Sequence, residues 1–130
     1  MFPDPWALAR DFYRRTKIFP IMHTVVVRAE LVDRHRWLAQ SLFKPFDAAK
    51  DLAYEALGEE SALATSLPFQ LEQAEQTALL MGADPWAYGL AANHETLAAF
   101  LDLARAQGVI ETALEPAALF SATTLDPYRI

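Results

Sequence analysis

A run of apolar, β-branched residues at positions 21–27 interrupts a hydrophobic pattern that otherwise repeats at helical spacing. Three consecutive valines end the run, and Pro20 and Arg28 bound it. This pattern predicts a short strand that is buried on both faces. Nothing else in the chain predicts a partner strand, although each unpaired backbone group removed from water costs on the order of 1–3 kcal/mol. The strand therefore predicts pairing with a second copy or membership of a larger sheet.

The remaining apolar residues recur every three or four positions, which predicts about five helices. The first begins at Pro5, because Asp4 suits the N-cap and proline suits the first helical position. Further helices are predicted at 30–35, at 37–57, at 67–81 after an N-cap at Ser66, and from 90 or 93 to 107, with a last helical turn from Glu115.

Proline and glycine refine these predicted helices. Pro45 falls inside the longest helix and predicts a kink, and Gly58 is predicted to end that helix as a left-handed cap. The helix that ends near 107 is predicted to stop at Gly108, and its inward-facing residues are predicted to be Leu97, Phe100, Leu101 and Ala104. The fold class predicted is mainly α with one or two short strands, in a single domain over residues 1–130.

Charge and composition narrow the possible partners. The net charge of -6 disfavours binding to nucleic acid or to an anionic membrane, although seven of the eleven basic residues fall within the first 36 positions and allow a local anion site. The absence of cysteine excludes disulfides and thiolate metal sites. With no signal sequence and no apolar stretch of ~20 residues, the chain is predicted to be cytoplasmic.

His23 is the best single candidate for chemistry. An imidazole on an otherwise apolar strand face must find a hydrogen-bond partner or line a cleft, and it can transfer a proton near neutral pH. A hydrogen-bonded core histidine is the simpler explanation. The three histidines lie far apart and lack the spacing of a metal site, so no metal or other cofactor is predicted.

Four other polar residues have both a structural and a functional interpretation. Arg14 and Arg15 lie on the basic side of the first helix, where they are either solvated or bind an anion. Tyr88 lies in a turn-rich aromatic loop at 84–89 and Asn93 follows it, so both can reach a ligand. A helix N-cap is the simpler role for Asn93, and packing is the simpler role for Tyr88. The residues alone name no function.

An ordered series of sequence blocks resembles the carboxy-terminal part of the 4,5-dihydroxyphthalate decarboxylase family. The blocks are residues 13–26, 37–42, 80–82, 86–90 with Asn93, 119–120 and 124–126. That family is similar to type II periplasmic solute-binding proteins, so the resemblance implies the C-terminal portion of a two-lobed α/β fold. The predicted strand would be the segment that returns to the first lobe. The chain would then be an incomplete lobe, too short to be active alone.

The resemblance also implies a reaction, the decarboxylation of 4,5-dihydroxyphthalate to protocatechuate. His23 would donate the proton or help to place the donor, and Arg14 or Arg15 would hold the retained carboxylate. Tyr88 and Asn93 would contact the same small aromatic dicarboxylate. The alternative is a non-catalytic module that binds a small aromatic acid, or that forms a homo-oligomer or associates with a missing lobe through the 21–27 strand.

Overall fold

Helices dominate the computed structural model, which describes residues 3–59 and 67–125. In these ranges the α-helices are α1 (Pro5–Thr16), α2 (Ala29–Arg34), α3 (Leu38–Gly58), α4 (Gln70–Met81) and α5 (Leu90–Ala106), followed by 3₁₀ helices at Pro116–Leu119 and Ala122–Thr124. The mainly helical class is confirmed. None of these helices is both long enough and apolar enough to cross a membrane.

The chain divides into two compact units. The first contains the described residues of Met1–Ala39 and Tyr88–Ile130, and the second contains those of Gln40–Ala87. The first unit therefore holds α1, α2, α5 and the 3₁₀ helices, whereas most of α3 and all of α4 belong to the second. The candidate residues from the sequence, which are Arg14, Arg15, His23, Tyr88 and Asn93, all belong to the first unit.

Local hydrogen bonds set both ends of α1, and the predicted N-cap at Asp4 is confirmed. The Ala7 N–H donates to Asp4 Oδ1 at 2.9 Å, so Asp4 is the N-cap and Pro5 follows it. At the other end, Lys17 adopts a left-handed conformation with φ 57° and donates its N–H to the Tyr13 carbonyl at 2.8 Å. A lysine there also complements the negative end of the helix dipole.

The end of α5 is closed by two hydrogen bonds of a Schellman motif. Gly108 donates to the Arg105 carbonyl at 3.0 Å, and Val109 donates to the Ala104 carbonyl at 2.8 Å. Gly108 has φ 71°, in the left-handed region where a side chain is strained. The predicted stop at this glycine is confirmed, and the chain turns here toward the 3₁₀ helix Pro116–Leu119.

Two predicted helix ends are wrong. Gly58 is the last residue of α3 and lacks a positive φ, so it is not a left-handed cap; glycine tolerates that conformation without requiring it. The start of α4 comes at Gln70, three residues after the prediction, because Phe69 takes a left-handed conformation with φ 62°. Ser66 lies outside the described residues. The α3 helix runs on through Pro45.

One face of α5 forms the best-buried apolar stripe in the described parts of the chain. Leu97, Leu101 and Ala104 are 8%, 6% and 8% exposed, and their spacing of four and three places them on one side of the helix. This helix packs against the 3₁₀ helix that begins with the buried Pro116. Phe100 was predicted to face inward, but it is 62% exposed.

The predicted strand at 21–27 is wrong for this chain. Residues 17–28 form neither helix nor strand, and they contain no turn or bend. Met22, Val25 and Val26 are 67%, 63% and 85% exposed. A strand exists only through backbone pairing with a neighbour, and residues 3–59 and 67–125 contain no second strand that could provide it. The run therefore lies in solvent without regular structure.

Truncation of Leu101 tests the importance of the α5 stripe. We expect Leu101→Ala to lower the free energy of unfolding by about 2–3 kcal/mol, because it removes buried methyl groups and leaves a void. Phe100→Ala is the matched control on the neighbouring position, and we expect a change of at most ~1 kcal/mol because that ring is largely in water. Urea unfolding followed by circular dichroism measures both values. Equal losses in the two variants would contradict the assignment of the core.

Candidate functional site

His23 lies within the irregular stretch 17–28 and is exposed. In the described part of the chain its imidazole makes no hydrogen bond or ion pair. The explanation as a hydrogen-bonded core histidine is therefore wrong, since the ring is neither buried nor paired here. Both ring nitrogens are accessible to a ligand that approaches from solvent.

Arg14 and Arg15 occupy the last turn of α1. Arg15 Nε donates to Asp11 Oδ2 at 2.9 Å, one helical turn back, whereas Arg14 is exposed and has no such partner among the described residues. Cations at a helix C-terminus also stabilise the helix, which gives both arginines a structural role. Arg14 keeps its full set of guanidinium donors for an external carboxylate, so it is the better candidate of the two for anion binding.

Short-range contacts direct the chain from α1 toward His23. Thr16 Oγ1 donates to the Phe12 carbonyl at 2.8 Å and accepts from the Ile18 N–H at 3.1 Å. Lys17 Nζ lies 5.3 Å from the centroid of the Tyr13 ring, within the range of a cation–π contact. These interactions place a group of cations at the start of the stretch that carries His23.

Tyr88 and Asn93 lie at the start of α5, in the same compact unit as His23. Asn93 is not the predicted N-cap, because Gly89 holds that position with φ 93°. The Asn93 side chain instead reaches back over the first turn, and its Nδ2 donates to the Gly89 carbonyl at 2.9 Å. Tyr88 is 44% exposed. In the described structure, neither His23 nor Arg14 forms a hydrogen bond with this pair.

The sequence analysis missed a polar cluster around Lys50 in the second compact unit. The Lys50 ammonium forms ion pairs with Asp47 Oδ1 at 2.9 Å and with Asp84 Oδ2 at 2.8 Å, and its side chain is only 8% exposed. The spacing of Asp47 and Lys50 on one helix is visible in the sequence and favours a pair. The contact with Asp84, 34 positions away, depends on tertiary structure.

Tyr54 adds a second attachment between α3 and the aromatic loop. Its hydroxyl accepts a hydrogen bond from the Trp86 backbone N–H at 2.9 Å. Burial raises the pKa of the Tyr54 phenol, and the nearby charge of Asp84 adds to the rise. Lys50 and Tyr54 lie one turn apart on α3, so together they hold the loop at Asp84 and Trp86.

The surroundings of Lys50 stabilise the charged form of its side chain. Burial by itself lowers the pKa of this ammonium, but hydrogen bonds and attraction to Asp84 and Asp47 outweigh that effect and raise the pKa from 10.5 to about 12. Because the folded-state pKa is raised, the resulting stabilisation is complete below pH 10.5 and is lost as the pH rises through about 12. The Lys50 ammonium is thus charged near neutral pH.

The described ranges contain little that indicates another type of site. No group of three or more histidine, aspartate or glutamate side chains there is arranged to hold a metal ion. A shallow hollow at the start of α1 is lined by Pro3, Asp4, Ala7, Leu8 and Asp11. It contains none of the candidate residues.

Comparison with known proteins identifies the family. No family model matches the chain. All 130 residues of the chain align at 39% identity with 4,5-dihydroxyphthalate decarboxylase of Comamonas testosteroni. This chain corresponds to a part of the 4,5-dihydroxyphthalate decarboxylase family. The family resemblance predicted from the sequence blocks is confirmed, and the chain spans 39% of the length of this relative.

The match runs from one end of the chain to the other. It supports the family-level function. Nothing in the match or the structure supports the alternative of a non-catalytic binding module. A further part of the relative's polypeptide has no counterpart in this chain.

Amine acetylation tests the Lys50 cluster. The chain has three lysines, Lys17, Lys44 and Lys50. Acetic anhydride reacts with the neutral amine, so at about pH 8.5 we expect Lys50 to react at least ~10-fold more slowly than Lys17, because its raised pKa and burial both oppose reaction. Peptide mass spectrometry measures the rate at each lysine.

Two isosteric variants provide the control for this experiment. Asp84→Asn removes one ionised partner and should speed acetylation of Lys50, whereas Asp51→Asn changes an exposed carboxylate on the same helix and should leave the rate unchanged. Equal rates at Lys17 and Lys50 in the unmodified sequence, or equal responses to the two substitutions, would disprove the ion-pair cluster.

Proposed function

We propose that this chain supplies the proton donor and a carboxylate-binding group of a 4,5-dihydroxyphthalate decarboxylase. The observation that carries the proposal is the 39% identity to the Comamonas testosteroni enzyme across the entire chain. The substrate is a small aromatic dicarboxylate. Activity requires additional polypeptide equivalent to the part of that relative which the chain does not match.

The proposed reaction replaces one ring carboxylate with hydrogen. The bond between the ring carbon and the carboxylate breaks, carbon dioxide leaves, and a proton forms a new bond with the same ring carbon. The hydroxyl para to the departing group donates electron density to that carbon, so a positioned acid can protonate it before carbon dioxide departs. The products are protocatechuate and carbon dioxide.

His23 is the proposed proton donor, or the residue that places it. Its accessible imidazole, without a hydrogen-bond partner in the described structure, supports this role because a core histidine tied to a neighbour would be unable to reach a substrate. Arg14 is proposed to hold the retained carboxylate through two parallel hydrogen bonds. Arg15 is the second candidate for that contact, and its pairing with Asp11 ranks it below Arg14.

Tyr88 and Asn93 are proposed to contact the substrate at the start of α5. Their support is positional, since they flank Gly89, whose left-handed φ of 93° shapes this loop. An amide and a phenol side chain each offer a donor and an acceptor, which suits contact with the hydroxyls of the substrate.

The proposed overall architecture is the two-lobed α/β fold of type II periplasmic binding proteins, of which this chain forms an incomplete lobe. The support is the greater length of the relative together with the exposure of Val26 and its neighbours, which need cover from further polypeptide. The rest of the cleft would come from the unmatched part.

A hybrid protein tests the proton-transfer role. In the hybrid, this chain replaces the matched portion of the Comamonas testosteroni enzyme. We expect the hybrid to release protocatechuate and this chain alone to release none. His23→Ala should lower kcat of the hybrid by about 100-fold or more, because general acid catalysis contributes on that scale. Chromatography of the product and trapping of carbon dioxide measure turnover.

The matched control is His35→Ala, since His35 is the C-cap of α2 and is none of the proposed substrate contacts. We expect its kcat to stay within ~2-fold of the parent hybrid, as expected for a change outside the proposed site. An inactive hybrid would contradict the proposed function, and full activity in His23→Ala would remove His23 from the mechanism.

Loss of the proposed carboxylate contact should change KM more than kcat. Arg14→Ala should raise KM by about 10-fold or more with a smaller change in kcat, since a charge-assisted contact of this kind serves ground-state and transition-state binding alike. Arg36→Ala, a change at another exposed arginine of the same compact unit, is the control and should leave KM unaltered. A KM change in Arg15→Ala but not in Arg14→Ala would assign the contact to Arg15 instead.

A further inference from the structure

The aromatic loop 84–89 is attached to α3 at two points. Lys50 Nζ lies 2.8 Å from Asp84 Oδ2, and the Tyr54 hydroxyl accepts a hydrogen bond from the Trp86 N–H at 2.9 Å. These contacts join residues that are 34 and 32 positions apart in the sequence. The two contacts therefore hold the first half of the loop against one helix.

Burial of Lys50 makes its contact with the loop stronger than a surface ion pair. The Lys50 side chain is 8% exposed, whereas the side chains of Asp47 and Asp84 are 42% and 45% exposed. A buried ammonium is costly unless it is paired, while a pair between two exposed groups contributes little. Asp47 meets part of this need from the same helix. Asp84 is the partner that connects Lys50 to the loop.

Tyr88 is the proposed substrate contact that this loop carries. It follows Trp86 by two residues, and two residues of fully extended chain span at most ~7 Å. The Tyr88 backbone must stay within that distance of the Trp86 backbone. Without the contacts at Asp84 and Trp86, Tyr88 would have more positions to occupy, and a binding group that is not held in place beforehand costs affinity when it is ordered.

We propose that Lys50 is a positioning residue for substrate binding, and that it acts by holding the loop that carries Tyr88. Tyr54 supports the same loop at Trp86, and neither residue touches the substrate. This role rests on the proposed function, since it requires Tyr88 to be a substrate contact. A lysine with a purely structural role would stabilise α3 and its surroundings without any specific effect on substrate binding.

Two aspartate substitutions separate positioning from stability. Asp84→Ala and Asp47→Ala each remove one carboxylate from Lys50, and the two carboxylates are about equally exposed, but only Asp84 lies in the loop. In the hybrid protein, we expect Asp84→Ala to raise KM for 4,5-dihydroxyphthalate about 3- to 10-fold with kcat within ~2-fold, which is the scale of one hydrogen bond used for binding. Asp47→Ala should change KM by less than ~2-fold. Steady-state assays of protocatechuate release measure both constants.

A double-mutant cycle tests whether Lys50 acts through Tyr88. Lys50→Met removes the ammonium but keeps an unbranched side chain, and we expect it to raise KM about 3- to 10-fold in the parent hybrid. In a hybrid that already carries Tyr88→Ala, the same substitution should change KM by less than ~2-fold, because residues that act together have non-additive effects. Lys50→Arg keeps a cation for Asp84 and should restore much of the parent KM.

Hydrogen exchange measures the hold on the loop without any turnover. The Trp86 amide donates to Tyr54, so Tyr54→Phe should speed exchange of that amide at least ~10-fold in this chain alone. Asp47→Ala should leave its exchange rate unchanged. An unchanged rate in Tyr54→Phe would show that the loop is held by other contacts and would overturn the proposal.

The kinetic outcomes distinguish this role from the proposed function. In an active hybrid, equal KM values for Asp84→Ala and Asp47→Ala, or an effect of Lys50→Met that is the same with and without Tyr88, would overturn the positioning role and leave the proposed function standing. An inactive parent hybrid would overturn the proposed function and, with it, the role of Lys50.

Discussion

Exclusion of water from one face of α5 is the constraint on which the first compact unit depends. Leu97, Leu101 and Ala104 come together because helical spacing aligns them, and the 3₁₀ helix that starts at Pro116 packs against α5. Two hydrogen bonds close α5 at Gly108, before the chain reaches that 3₁₀ helix. Local backbone geometry and long-range burial therefore act together at this point, and the apolar stripe gives the unit its centre.

The second compact unit is organised by charge. A lysine as buried as Lys50 is costly unless its ammonium is paired, and the two aspartates meet that need. One partner is on the same helix, but the other brings in the aromatic loop at Asp84. The Tyr54 contact with Trp86 adds to this attachment. The position of the loop thus follows from the need of the buried Lys50 ammonium on α3 for a charged partner.

The candidate residues for decarboxylation lie in more open surroundings than catalysis normally uses. His23 and Arg14 face solvent, and the run that carries His23 is apolar on both sides. Ion pairs and proton transfers are strengthened when a site excludes water. Enclosure of the 21–27 run by further polypeptide would provide both a sheet for the backbone and a drier setting for the imidazole. The proposed chemistry therefore depends on that enclosure, which belongs to the proposed two-lobed architecture.

The sequence by itself determined the α-helical class, the cap at Asp4, the stop at Gly108 and the family, because helix hydrogen bonds and caps join residues only a few positions apart. The apolar pattern predicted that Leu101 faces inward, and it made the same prediction for its neighbour Phe100, which is exposed. Such a pattern does not give the width of the buried helix face. Tertiary structure alone decided the pairing of Lys50 with Asp84 and the irregular state of residues 21–27. Both outcomes depend on partners distant in sequence. Asp84, the partner of Lys50, is present in the described chain, whereas a partner strand for residues 21–27 is not.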